Sequence, residues 1–493
     1  MKTFLRFMSL TAATQLFLAV NQIVLLPLQL RVWGRDATAQ WFVVVAIANL
    51  ASIADLGLRN ASHDHLLSSV QTGDEAAASG FRRTWALARA LFIGLTTALI
   101  ASQAVMAMRS GQHQGIWIYA VTLSFALETV VIVRGIWLDT LGHFNRVEAV
   151  YLAFVASRVV LSFAALLVFH APPEAIAWIM LACSIAATAG QGWLLRQPKS
   201  LNFLAPGFGD LRWRALGVVR FVATEPAANW VRLSLPVVVL AAIASPLFVA
   251  TFVAMRALFG MARSVISQLA RYASVGYVLS VETDRAAAER LAIRYILTST
   301  VVGVGVSSAI IADHGRIIGL WLNGADANTV GAIALSFAIG AAAYGYQVIN
   351  VVLMRSGDVI GVAVRQYGFL AGAVIAAVVA RLSASPVLYL GLLAAEELLI
   401  AGLFISALGP AVRRASITAF AVAVCLLVPL WFAAYFNAGG LFDAMRPAPL
   451  LASLAVAGAV SLIMVVQGFA IDRFGRISLR PHRMLTAGAA SER

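Results

Sequence analysis

Apolar runs of about twenty residues follow one another along most of the chain, separated by short polar gaps. A run of ~20 apolar residues is long enough to cross the hydrocarbon core of a bilayer as a helix. The dyad alternation of a transmembrane barrel is absent from the sequence. We therefore predict an all-α polytopic membrane protein with about 14 spans, at 7–30, 41–62, 85–108, 115–138, 148–170, 174–195, 217–243, 247–279, 292–312, 328–352, 364–382, 386–407, 416–436 and 447–470.

Charged residues fall mainly in alternate gaps between these runs. The 493 residues include 36 Lys+Arg against 22 Asp+Glu, and most of these cations lie in every second gap. Positive residues collect on the cytoplasmic side of a membrane. We therefore predict a protein of the bacterial inner membrane with both termini in the cytoplasm. We also expect contacts to anionic lipid headgroups, and no nucleic-acid partner, because the cations form no continuous stripe.

One inward gap, at 196–216, is basic and rich in proline and glycine. Such a composition after the sixth span predicts a cytoplasmic linker. It would join an N-lobe at 1–195, with spans 1 to 6, to a C-lobe at 217–407, with spans 7 to 12. Spans 13 and 14 would occupy 408–470 and a basic tail 471–493. The segments Asn21–Pro27 and Trp230–Pro236 are similar in sequence, since each has a proline late in its span. This similarity favours two repeats of the same orientation.

A second set of charges lies inside the predicted spans, where a charge needs a partner or a cavity. Glu225, Asn229 and Arg232 share one stripe of span 7 at i, i+4 and i+7 spacing. Arg256 and Arg263 are seven residues apart on span 8. We predict that Arg232 and Arg256 face a shared water-filled cavity.

Other polar residues at membrane depth leave alternatives open. Arg158, midway along span 5, either binds an anion or pairs with Glu128 of span 4. Glu396 and Glu397 point about 100° apart on span 12, so at most one of them faces any single partner. Two further pairs each share a helix face: Gln15 and Gln22 on span 1, and Asp55 and Arg59 near the inner end of span 2.

Catalytic and metal-binding patterns are missing from the sequence. His63 and His65 would point to different faces of a helix, and Cys183 and Cys425 lie in separate apolar runs. The outward gaps are too short for the polar domain that a periplasmic glycosyltransferase usually needs. We expect a protein that is not an enzyme and holds no cofactor or metal. A membrane-embedded glycosyl- or acyltransferase stays an alternative that would require a deep His or Asp pair.

The segment Ala54-Asp55-Leu56-Gly57-Leu58-Arg59-Asn60-Ala61, at the end of span 2, resembles the Asp-Leu-Gly-Leu-Gly-Asn pattern of bacterial polysaccharide flippases. These O-antigen and exopolysaccharide translocases belong to the multidrug/oligosaccharidyl-lipid/polysaccharide exporter superfamily. Asn229–Pro236 and Ala250–Tyr277 also look like that family's spans 7 and 8. The chain departs from the pattern at Arg59, where glycine is usual, and at Val231, where an acidic residue often stands.

The resemblance implies two six-helix lobes around a cavity between spans 1, 2, 7 and 8, with two extra spans. It also implies translocation of an undecaprenyl-pyrophosphate-linked oligosaccharide from the inner to the outer leaflet by alternating access, with other polysaccharide-assembly proteins as partners. The expected pyrophosphate ligands are arginines, which bind phosphate through several donors at once: Arg232, Arg256, Arg59, Arg263 and Arg158. The expected sugar contacts are Gln15, Gln22, Asn229 and Trp230, and the expected charge-resetting or ion-coupling acids are Asp55, Glu225 and Glu128. A cation-coupled multidrug exporter of the same superfamily is the alternative, and its cavity would be acidic.

Overall fold

All regular structure in the described part of the computed structural model is helical. The structure describes residues 9–51 apart from 11, 12, 15 and 19, then 75–110, 115–140, 143–195, 224–260, 263, 266, 285–312, 327–343, 349–350, 353, 359–408 and 410–436. A π-helix, Asn21–Leu25, is followed by α1 (Leu26–Ala48), α2 (Glu75–Ser110), α3 (Trp117–Thr140), α4 (Phe144–Phe169), α5 (Pro173–Leu195), α6 (Thr224–Leu233), α7 (Leu235–Ile243), α8 (Pro246–Gly260), α9 (Arg285–Ala312), α10 (Ala327–Ala343), α11 (Val359–Ser383), α12 (Pro386–Ser406) and α13 (Pro410–Phe436).

Six of the helices within these ranges, namely α2, α3, α4, α5, α11 and α12, contain stretches long and apolar enough to cross a membrane. Shorter apolar helices lie at Ala227–Ile243, Pro246–Gly260 and Thr329–Ala341. The predicted all-α polytopic fold is confirmed. Span 14 at 447–470, the tail at 471–493 and the linker at 196–216 lie outside the described residues, so the domain boundaries stay predictions.

Two span boundaries differ from the prediction. The gap expected at 31–40 is helical in α1 except at Gly34, whose φ of 77° turns the chain between the first two spans. Arg31, Arg35 and Asp36 are exposed on either side of this turn, where one helix ends and the next begins. Span 7 is broken into α6 and α7 at Ser234, two residues before Pro236.

The helices pack in two groups, and α1, which belongs to the first group, also contacts the second. In the first group α5 packs on α3 and α4; in the second α13 packs on α9, α12 packs on α10 and α11, and α6 packs on α11. Leu25, Trp41 and Ala48 of this N-terminal region join the first apolar cluster. Leu26 and Ala46 of α1 join the second cluster, with Val237 and Val253. The two groups are therefore in contact along α1 and α7.

Candidate functional site

The contact between the two groups, which we call the seam, is formed by α1 on one side and by α6 and α7 on the other. The indole Nε1 of Trp230 donates a hydrogen bond to the carbonyl of Ala46 at 3.0 Å. Nearby, Asn49 Nδ2 donates to Ser234 Oγ at 3.1 Å. Both hydrogen bonds lie close to the break in span 7. The polar contacts of the seam are therefore found where the backbone of span 7 is irregular.

The break in span 7 leaves backbone carbonyls without their usual helical partners. Pro236 has no N–H to donate, and the N–H of Val237 binds the carbonyl of Ser234 instead of that of Leu233. The carbonyl of Leu233 accepts a hydrogen bond from the guanidinium of Arg256 on α8. Because an unsatisfied carbonyl is costly at membrane depth, Arg256 stabilises the broken helix that carries Trp230.

Arg232 points away from the seam. Its Nε atom lies 2.8 Å from Glu397 Oε1 of α12, and its guanidinium stacks 4.5 Å from the ring centroid of Phe369 on α11. Its side chain is only 7% exposed. The reason is helical geometry: Trp230 and Arg232 project about 200° apart, so when Trp230 contacts α1, Arg232 faces the second group. The structure therefore places Arg232 against Glu397 inside the second group. A cavity shared by Arg232 and Arg256, and the substrate-binding role of Arg232, stay predictions.

Glu396 lies beside this ion pair but points in another direction, as the spacing predicted. A Cβ added at Gly372 of α11 would lie 3.8 Å from Glu396 Oε1, whereas one added at Gly340 of α10 would lie 3.6 Å from Glu397 Cγ. Glu396 therefore lies against α11 and Glu397 against α10. The sequence predicts both acids at mid-depth, whereas the pairing of Glu397 with Arg232 is seen only in the structure.

In the first group, Arg158 of α4 pairs with Glu128 of α3. Arg158 Nη1 lies 2.9 Å from Glu128 Oε2, and the guanidinium is 5.6 Å from the Phe154 ring centroid. The two side chains are 18% and 19% exposed. The pairing alternative is thus confirmed, and the anion-binding role of Arg158 stays a prediction.

The remaining predicted residues are only partly described. Asn229 is exposed on α6 and Arg263 is half-buried. Gln22 and Glu225 lie on described helices, but their side chains are outside the described part, and Gln15, Asp55 and Arg59 are outside the described residues altogether. Within the described ranges no group of three or more His, Cys, Asp or Glu side chains is placed to hold a metal ion. Asn49 was not singled out from the sequence, although an amide inside an apolar span is a signal of an interhelical contact.

The chain matches no protein-family model, and no curated protein matches it in sequence. Two solved structures share its fold. One is a multidrug resistance MATE family transporter of the MOP superfamily in an inward-facing conformation, with 12% identity, a TM-score of 0.52, and coverage of 84% of this chain and 95% of that one. The other is the lipid II flippase MurJ in an inward closed conformation, with 12% identity, a TM-score of 0.52, and coverage of 94% and 99%. This chain therefore has the fold of multi-pass transporters of that superfamily.

Proposed function

We propose that this chain is a flippase of the bacterial inner membrane that moves an undecaprenyl-pyrophosphate-linked oligosaccharide from the inner to the outer leaflet for surface polysaccharide assembly. The observation that carries the proposal is the likeness to the lipid II flippase MurJ over 94% of this chain. In this proposal the termini are cytoplasmic, and the partners are the lipid-linked substrate, anionic lipids and other assembly proteins.

The packing supports transport by alternating access. The two groups of helices meet along α1 and α7, and the hydrogen bonds from Trp230 and Asn49 join them. A neutral hydrogen bond contributes only about 0.5–1.5 kcal/mol. These two hydrogen bonds therefore add little to the cost of opening the seam.

Arg256 is the cation best placed to meet a pyrophosphate in this proposal. Its guanidinium has five N–H donors and contacts the carbonyl of Leu233, which leaves donors for a phosphate oxygen. Asn229, exposed one turn before Leu233, would contact a sugar. Arg158 and Arg232 are ion-paired, so each would bind substrate only by leaving its carboxylate, which would recapture it afterwards. The other proposed contacts are Arg59, Arg263, Gln15, Gln22 and Trp230, with Asp55, Glu225 and Glu128 as resetting acids.

Flipping of a fluorescent undecaprenyl-pyrophosphate oligosaccharide in proteoliposomes tests the proposal. Wild-type protein should expose the label to an external quencher. Arg256→Gln should slow flipping about tenfold or more, because charged hydrogen bonds are worth roughly 1.5–3 kcal/mol, while Arg256→Lys keeps the charge and should retain part of the rate. A wild-type protein that moves no labelled lipid, or an Arg256→Gln variant with the wild-type rate, would contradict it.

A cation-coupled multidrug exporter is the second candidate, favoured by the equal TM-score of 0.52 to the MATE transporter. A deletion strain separates the two. The flippase proposal expects loss of surface polysaccharide with unchanged drug susceptibility. Increased drug accumulation with normal polysaccharide would favour the exporter.

A further inference from the structure

Two neighbouring carboxylates of α12 share one cation. Glu397 Oε1 lies 2.8 Å from Arg232 Nε, whereas Glu396 projects about 100° away around the helix. Glu396 is 7% exposed. Its Oε1 atom has no hydrogen-bond partner in the part of the chain that the structure describes. The cluster therefore holds two acids and one base among apolar side chains.

Among the residues that the structure describes, two charged groups act on Glu396: Glu397 and Arg232. Tyr389, buried two turns earlier on the same helix face, is also within its electrostatic reach. Of the helices that pack on α12, α10 contains no titratable residue in its range of 327–343. Of the other titratable side chains described on α11 and α13, Arg365 is half-buried six residues after the start of α11. The rest are exposed: Tyr367, Arg381, Arg413, Arg414 and Cys425.

We propose that Glu396 is a proton-binding site, and that its proton determines which carboxylate holds Arg232. With both acids ionised the cluster carries one net negative charge at bilayer depth, which is costly. One proton taken from water and held as the O–H of Glu396 makes the cluster neutral, and Arg232 stays on Glu397. When the proton leaves, the ionised carboxylate of Glu396 becomes a second possible partner for Arg232 within the second group.

If Arg232 changed its carboxylate partner, the end of α6, next to the break in span 7, would shift. Arg232 is one residue before the end of α6, and the break at Ser234 follows at once. Trp230, which bonds to Ala46 across the seam, lies two residues earlier. Proton release would therefore shift the end of α6 that carries the seam contact. This step deepens the proposed function and rests on it, whereas proton binding itself requires no substrate.

Infrared spectroscopy of the full-length protein in lipid nanodiscs tests proton binding without any substrate. The wild type should show the carbonyl stretch of a protonated, buried carboxyl group at neutral pH, and the band should disappear at alkaline pH. Glu396→Gln should abolish it. Glu397→Gln should also abolish it, because Arg232 is then left with Glu396 and keeps it ionised. Glu174→Gln, which changes an exposed acid at the start of α5, should leave the band unchanged.

A wild-type spectrum without this band at neutral pH would overturn the proposal, and that result needs no variant. Retention of the band in Glu396→Gln or in Glu397→Gln would overturn it as well. The flipping assay separates this inference from the proposed function. If the band behaves as expected and no labelled lipid is moved, the proton site stands and the proposed substrate fails.

Discussion

The indole nitrogen of Trp230 lies 3.0 Å from the carbonyl oxygen of Ala46, and this hydrogen bond joins α6 to α1. Together with the bond from Asn49 to Ser234, it places the polar contacts of the seam next to the break in span 7. A protein that works by separating its two groups of helices would have to open these bonds in each cycle. Their strength then contributes to how often the seam opens.

Trp230→Phe should increase the open population. Phenylalanine keeps an aromatic ring against α1 but cannot donate to Ala46, and the loss of about 1 kcal/mol corresponds to roughly a fivefold shift between closed and open states. Spin labels at the exposed positions Asp36 and Ala241 report the distance between the two sides by pulsed electron resonance. Trp178→Phe, at a half-exposed tryptophan of α5, is the matched control. Identical distance distributions in wild type and Trp230→Phe would show that this bond does not hold the seam.

Arg232→Gln should destabilise the protein far more than Arg82→Gln. Arg232 pairs with a carboxylate that is 16% exposed, whereas the partner of Arg82, Glu75, is 77% exposed at an N–O distance of 3.1 Å. Removing one partner of a buried pair costs about 3–5 kcal/mol, while an exposed pair is worth about 0–1 kcal/mol. Thermal unfolding in detergent measures the loss of stability in each of the two variants.

The paired substitution Arg232→Met with Glu397→Leu serves as the control for Arg232→Gln. It removes both charges together, so it should recover most of the lost stability. Equal unfolding midpoints for Arg232→Gln and Arg82→Gln would contradict the buried pair.

The sequence predicts the helices of this fold well because lipid imposes length and apolarity on each span. It also places Arg158 and Glu128 at one depth, and the structure pairs them. It does not predict that Arg232 pairs with Glu397. Helical spacing shows which residues share a face but not which neighbour that face meets, and that depends on the packing of α6 on α11.

Arg158→Glu combined with Glu128→Arg should retain more stability than either single reversal. Each single change puts two like charges about 3 Å apart in a partly buried site, where repulsion and desolvation add. The exchange restores an ion pair of opposite orientation. A double-mutant cycle by thermal unfolding measures the coupling, which we expect to be roughly 1–3 kcal/mol. Additive effects of the two reversals would show that the 2.9 Å contact contributes no coupling.

Gly34→Ala should destabilise the turn between the first two spans. Gly34 has φ 77° and ψ 179°, a conformation that side chains with a Cβ adopt only at a cost of about 1–3 kcal/mol. No atom lies within 4 Å of a Cβ added at this position. Any loss of stability in Gly34→Ala therefore comes from backbone strain and not from a steric clash. Gly94→Ala is the matched control, since it also has no neighbour within 4 Å and lies inside α2, where alanine is favoured by about 1 kcal/mol. We expect a lower unfolding midpoint for Gly34→Ala and an equal or higher one for Gly94→Ala. A Gly34→Ala variant as stable as wild type would mean that the chain passes between the spans by another backbone path.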